Sequence, residues 1–215
     1  MKIVPSVLAE NYEDFLLRIR QAESITDFVQ IDLMDGVFVE NKSFPPEKIN
    51  GTNTSLSFEV HLMIQDPLRA LKDINHPNVK RAIFHFESDV RPEDFISAAG
   101  ERGIGTGLAV KPETGIDDFR DLAQAVDMIL FLTVDPGQYG SPFRPEVAEK
   151  VAEARNIFPD KLISVDGGIS LDNLKTFYDI GVDFACVGSR IFLKGEPEEN
   201  YRRFTDKIRE FERLL

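Results

Sequence analysis

The feature that most constrains this chain is the regular alternation of short apolar runs with stretches of helical periodicity. The runs are Lys2–Ser6, Phe28–Met34, Leu56–Met63, Arg81–Phe86, Thr106–Val110, Met128–Val134, Leu162–Asp166 and Phe184–Gly188. Asn11 caps the first helical stretch, in which Phe15, Leu16, Ile19 and Ala22 recur at helical spacing. Further helices are expected over Pro67 to Leu71, from Pro92 to near Gly100, and over Ile116 to Ala125, Pro145 to Ile157, Leu171 to Ile180 and Pro197 to Leu214. Between Val37 and Lys48 a loop with Pro45-Pro46 leaves room only for a brief helix before Asn50-Gly51. Strand following helix without exception implies a parallel sheet, and eight repeats within 215 residues predict an α/β chain closed into a single-domain (β/α)8 TIM barrel over residues 1–215. An open doubly wound sheet is the rival architecture. It needs a Gly-rich turn after its first strand, and none follows Pro5-Ser6.

A chain of this length buries a full core, and its 42% hydrophobic and 29% charged residues are ordinary for a globular protein. With 37 acidic against 25 basic residues, the net charge of −12 argues against nucleic-acid or anionic-membrane partners. An anionic ligand therefore needs a local site rather than the field of the whole molecule. Cys186 stands alone, so no internal disulfide forms, and no apolar run reaches membrane-spanning length. Met1 to Pro5 does not read as a signal peptide. The expected setting is cytoplasmic, and a homo-oligomer is the expected assembly.

Side chains on a strand alternate faces, so Gln30, Asp32 and Met34 share one side of the second strand. The next strand does the same with Glu59, His61 and Met63. Barrel strands bring their carboxyl ends to one face, where Asp32, His61 and Asp166 can be gathered into one site. Two carboxylates and an imidazole suit a divalent cation, and the carboxylates also suit proton transfer. Asp166-Gly167-Gly168 after the seventh strand and Gly188-Ser189 after the eighth are small residues where barrels frequently bind phosphate. Thr133 to Ser141, after the sixth strand, reads as a lid or a long turn.

Taken together, Pro5-Ser6-Val7-Leu8, Asp32-Leu33-Met34-Asp35-Gly36, His61-Leu62-Met63, Thr133-Val134-Asp135-Pro136-Gly137, Val165-Asp166-Gly167-Gly168 and Gly188-Ser189 resemble the ribulose-phosphate 3-epimerase family in order and spacing. The likeness runs from about Lys2 to Phe192. It implies a (β/α)8 barrel of carbohydrate metabolism, in the pentose phosphate pathway. Such an isomerase inverts C3 of a phosphorylated ketose, D-ribulose 5-phosphate to D-xylulose 5-phosphate, with one divalent metal (Zn, Mn, Fe, Co or Mg). On that resemblance Asp32 and Asp166 are the paired acid and base and also ligate the metal, with His61 and the residue at Gln30. Ser6, His61, Met34 and Met63 contact the substrate, and Gly137, Gly167, Gly168, Gly188 and Ser189 line the phosphate region.

The chain departs from the family pattern at several positions. Gln30 stands where the family usually has a metal-binding His, and a neutral amide oxygen is a poorer zinc ligand than imidazole, so harder ions such as Mn or Mg are expected to be better tolerated. Leu132 replaces a frequent methionine, and Tyr139 replaces a lid glycine and should stiffen that segment. His85 is expected to be a satisfied structural histidine, and Arg190 a solvated residue at a helix start. Two alternatives keep the barrel. One is an epimerase of hexulose 6-phosphates, and the other a sugar-phosphate-binding paralogue without catalysis. A lyase or synthase using the same barrel and phosphate site is a further rival.

Overall fold

The computed structural model describes residues 1–137 and 140–213. Its elements are β1 (Lys2–Leu8), α1 (Tyr12–Glu23), β2 (Phe28–Met34), a 3-10 turn (Pro46–Gly51), β3 (Ser57–Met63), α2 (Pro67–Asp73), β4 (Val79–His85), α3 (Pro92–Gly100) and β5 (Gly105–Val110). There follow α4 (Ile116–Ala125), β6 (Met128–Leu132), α5 (Val147–Ile157), β7 (Leu162–Asp166), α6 (Leu174–Ile180), β8 (Phe184–Val187), α7 (Ser189–Phe192) and α8 (Pro197–Glu212). Each strand pairs in parallel with the next, and β8 returns to β1 to close the barrel. No described helix is long and apolar enough to cross a membrane.

Alternation along the strands divides the apolar residues into two sets. One points outward against the helices: Val29, Ile31 and Leu33 of β2 and Phe58, Val60 and Leu62 of β3 join Phe15, Ile19, Phe95, Phe119 and Phe177 in one continuous core. The other fills the barrel, where Val4, Ile83, Ala109, Met128, Leu130, Leu132 and Cys186 pack together. The interior is narrow at β5. A Cβ on Gly107 would lie 3.0 Å from the Ile83 side chain, so a small residue there makes room for Ile83 and Met128.

Several boundaries differ from the periodicity. β6 ends at Leu132 rather than Val134: the Thr133 N–H makes the last ladder bond, to the Asp166 carbonyl at 2.8 Å, and the Thr133 carbonyl then accepts from the Arg144 N–H at 2.8 Å instead of from β7. α5 begins after Pro145, whose carbonyl accepts from Ala148 at 3.1 Å, the i to i+3 contact of a turn. Ahead of α6, the Asn173 side chain accepts from Ser170 N–H at 2.8 Å and holds Leu171 to Asn173 in a turn. α7 begins where a helix start is expected at Arg190, although its four residues are too few to display a helical period.

Toward the amino ends of the strands lies a buried ion pair. Arg81 Nη1 donates to Glu59 Oε2 at 2.7 Å and to Met128 Sδ at 3.0 Å, and the guanidinium lies 5.4 Å from the Phe184 ring centre. Burial raises Glu59 to about 7, and Arg81 limits the rise. Replacing Arg81 with Met strands this carboxylate and should cost about 3–5 kcal/mol in urea unfolding at pH 8. Because the folded pKa is raised, folding favours the protonated form. The deficit should therefore shrink toward pH 5 and grow as pH rises through about 7. Adding Glu59→Leu should recover most of the loss. A deficit below about 1 kcal/mol that ignores pH would show that Glu59 does not need its partner.

Candidate active site

The barrel's ladder sets the site residues side by side. Leu8 pairs in register with Asp32, Asp32 with His61, and Met34 with Met63; across the barrel Leu132 pairs with Asp166 and Asp166 with Cys186. These positions lie at the carboxyl ends of their strands and face inward. Asp32 from β2 and Asp166 from β7 thus approach one another although they stand 134 positions apart in the chain.

Two side chains join the carboxylates. Gln30 Nε2 donates to Asp32 Oδ1 at 2.9 Å and to Asp166 Oδ2 at 2.7 Å. His61 Nδ1 lies 3.0 Å from Asp32 Oδ1 and 3.5 Å from Asp166 Oδ2. Beneath Gln30, the Cys186 thiol donates to Gln30 Oε1 at 3.1 Å. Burial, together with the charges of Asp166 and Glu59, keeps that thiol protonated. The amide orientation follows from its surroundings: carboxylates only accept, so the nitrogen must face them, and the thiol donates to the oxygen.

Burial raises Asp32 to about 6, and the nearby charge of Asp166 adds to the rise, while His61 and Gln30 oppose it. For His61 burial acts the other way, against the imidazolium, but hydrogen bonding and charge from Asp166 and Asp32 outweigh it and lift the group to about 9. On its other side His61 Nε2 lies 2.9 Å from His85 Nε2, and His85 Nδ1 lies 3.4 Å from Glu87 Oε2. Burial lowers His85 to about 4, so it is neutral at pH 7. Glu87 is held ionised, near 2: burial opposes this, but bonds from His85, Thr114 and the Lys111 N–H prevail.

Ser6, Asp32, His61, Met63, Gly137, Asp166, Gly167, Gly168, Gly188 and Ser189 all line one cavity of about 590 Å³, its open mouth included. Gln30 lies below it, fully buried. Met34 stands aside, packed with Val39 and Met63. Arg190, in α7, is exposed and reaches the cavity rim. Gly167 has φ +107, and a Cβ there would overlap the Val134 side chain; Gly137 has φ +106 and a Cβ would lie 2.8 Å from Val39. Both turns therefore require glycine. The loop after β6 is anchored where Asn41 Nδ2 donates to the Gly137 carbonyl at 2.8 Å and Arg144 pairs with Asp135 at 3.1 Å and with Glu113. Tyr139 lies outside the described residues.

Cys186 and the His85–Glu87 pair escaped the sequence reading as parts of the site. The signal for Cys186 was its register, two residues before Gly188 on an inward-facing strand. His76, by contrast, is structural: its Nε2 faces the Thr52 carbonyl at 2.9 Å, and its Nδ1 accepts from the Asn78 N–H at 3.1 Å.

Residues 2–192 match the Ribulose-phosphate 3 epimerase family. Among curated proteins, a ribulose-phosphate 3-epimerase of Schizosaccharomyces pombe is 31% identical over 204 residues, covering 92% of this chain and 90% of that protein. One from Chlamydia pneumoniae is 34% identical over 183 residues, covering 81% and 79%. Among solved structures, 3-hexulose-6-phosphate synthase from Salmonella typhimurium superposes with a TM-score of 0.73 at 16% identity, covering 98% of this chain and 99% of that one, a likeness of fold alone. The chain belongs to the ribulose-phosphate 3-epimerase family, isomerases that act on carbohydrates.

Proposed function

We propose that this chain interconverts D-ribulose 5-phosphate and D-xylulose 5-phosphate by proton transfer at C3 between Asp32 and Asp166. The observation that carries the reading is the convergence of these two carboxylates, from strands on opposite sides of the barrel, upon one cavity at the carboxyl ends of the strands. Inversion of a carbon acid needs a base on one face and an acid on the other. Asp32, raised to about 6, exchanges its proton near neutrality, within the range that acid–base work requires. Ser6 and Met63 border the same space, and Gly167, Gly168, Gly188 and Ser189, with Arg190 at the rim, offer close backbone approach and one positive charge to the phosphate.

The donor set fits a divalent cation, because ligand atoms of Asp32, His61 and Asp166 lie within 4.8 Å of one another. Gln30 fits that set poorly. Its NH2 faces the carboxylates, and presenting Oε1 instead would break the bond from Cys186. Asp32, His61 and Asp166 would hold the ion, with Gln30 spacing the two carboxylates. When bound, such an ion supplies positive charge to the sugar oxygens at C2 and C3 as the C3 proton leaves. Carboxylate-rich sites with one imidazole suit Mn or Mg better than sites rich in nitrogen or sulfur do.

Metal-stripped protein resupplied with Mn, Mg or Zn and given ribulose 5-phosphate in D2O should exchange the C3 proton and form xylulose 5-phosphate, both followed by NMR. Asp32→Asn and Asp166→Asn should each lower turnover by about 10²–10⁴-fold. Wild-type protein that binds the sugar yet exchanges nothing with any ion would overturn the epimerase reading, and exchange with a hexulose 6-phosphate alone would change the sugar. Gln30→His should tighten zinc by roughly tenfold or more in chelator competition, by adding an imidazole ligand. An unchanged zinc affinity would count against this position's lying within reach of the ion.

A further inference from the structure

Behind His61 runs a chain of hydrogen bonds that the proton transfer does not itself use. His61 Nε2 and His85 Nε2 are 2.9 Å apart, with the rings 5.0 Å between centres and inclined by 27°. At that separation one nitrogen donates and the other accepts. The far side decides which. His85 Nδ1 faces the Glu87 carboxylate, and a carboxylate held ionised only accepts, so Nδ1 carries the His85 proton and Nε2 its lone pair. His61 must then be the donor, with its proton on Nε2. The reverse direction would aim a bare lone pair at Glu87.

Glu87 is itself fixed from the next strand's loop. Its Oε1 accepts from the Lys111 N–H at 2.9 Å and from the Thr114 hydroxyl. The Phe38 ring lies 4.7 Å from the His85 ring, tilted by 46°, and closes the relay from the side of the loop after β2. His85 is fully buried, and both of its nitrogens are engaged.

We infer that His85 and Glu87 are positioning residues, a relay that holds the proton on His61 Nε2, so that Nδ1, which faces Asp32 and Asp166, is the nitrogen that gives up its proton when a cation binds. The inference rests on the cation site proposed above. A neutral imidazole ligates through its unprotonated nitrogen, and a partner that accepts the other N–H orients the ring and makes the ligating nitrogen more basic. Here the accepting partner is a second imidazole, and the carboxylate lies one step further back.

The chain has three histidines, and His76 serves as an internal reference, since its contacts require the proton on Nε2. In 15N-histidine protein loaded with Zn, long-range 1H–15N spectra should show His61 and His76 protonated at Nε2 and His85 at Nδ1. His85→Phe and Glu87→Gln, compared with wild type by titration with Zn and Mn, should each bind about 10–100-fold more weakly. Their melting temperatures in EDTA serve to separate this from loss of packing. Glu87→Gln should also leave His85 as a mixture of tautomers, a change that a purely structural role would not produce. A His85 protonated at Nε2 in the loaded wild type, or variants that bind both ions as wild type does, would overturn the relay alone. A wild-type chain that binds neither ion would overturn the cation site and the relay with it.

Discussion

Two carboxylates held side by side at the mouth of a closed barrel impose the main electrostatic constraint on this structure. Like charges within hydrogen-bond reach of a common donor repel, and burial strengthens the repulsion by removing water. Gln30 meets part of that cost with one amide nitrogen, whose two hydrogens are divided between Asp32 and Asp166. His61 meets more of it with charge, which is why its imidazolium persists in a site that would otherwise expel it. Each of these partners is then held by another: Gln30 by Cys186, His61 by His85, His85 by Glu87. Such a network is stabilising only when complete, because an unpaired member in a low dielectric costs more than a pair returns.

The same logic recurs deeper in the barrel with a different solution. Glu59 shares an inward-facing layer with Gln30 but receives a full ion pair from Arg81. Around these polar groups Val4, Ile83, Leu130 and Cys186 pack together inside the barrel. Gly107 and Ala109 keep β5 thin at this level, and Met128 and Ile83 occupy the volume that larger residues would have taken. The interior is thus a packed stack, and access to the carboxylates is from the mouth.

The barrel was legible because its signal is cumulative: no single run such as Leu162–Asp166 distinguishes a strand with certainty, but eight in alternation with helices admit few topologies. Asp32, His61 and Asp166 could be grouped because alternation fixes which face each occupies, and strand ends in a barrel converge. Boundaries were less legible where side chains bond to the main chain at an element's end, as the Thr133 hydroxyl does by donating to the Asp166 and Gly167 carbonyls and Asn173 by accepting from the Ser170 N–H. The relay behind His61 was hidden for a different reason. Strand register places His61 beside Ile83, so nothing local announces that His85, two residues further along β4, reaches its Nε2. Ring orientation is a tertiary property, and a short His-x-Glu pattern does not encode it.

Gln30 shows how one substitution changes the character of a site while keeping its shape. A neutral imidazole has one donor and one acceptor; the amide has two donor hydrogens and one acceptor oxygen. At this position two acceptors lie above and one donor, the Cys186 thiol, lies below, so the amide is matched on every side. An imidazole there would leave one carboxylate contact unfilled until an ion supplied it. With the amide, the two carboxylates are already spaced and hydrogen-bonded, and the proposed ion has three protein ligands in place of four. For an ion that takes six ligands, this leaves more positions for water or for the oxygens of the sugar. A weaker hold on a bound ion and a larger share of its coordination open to substrate would therefore both follow from an amide standing where the family pattern has an imidazole.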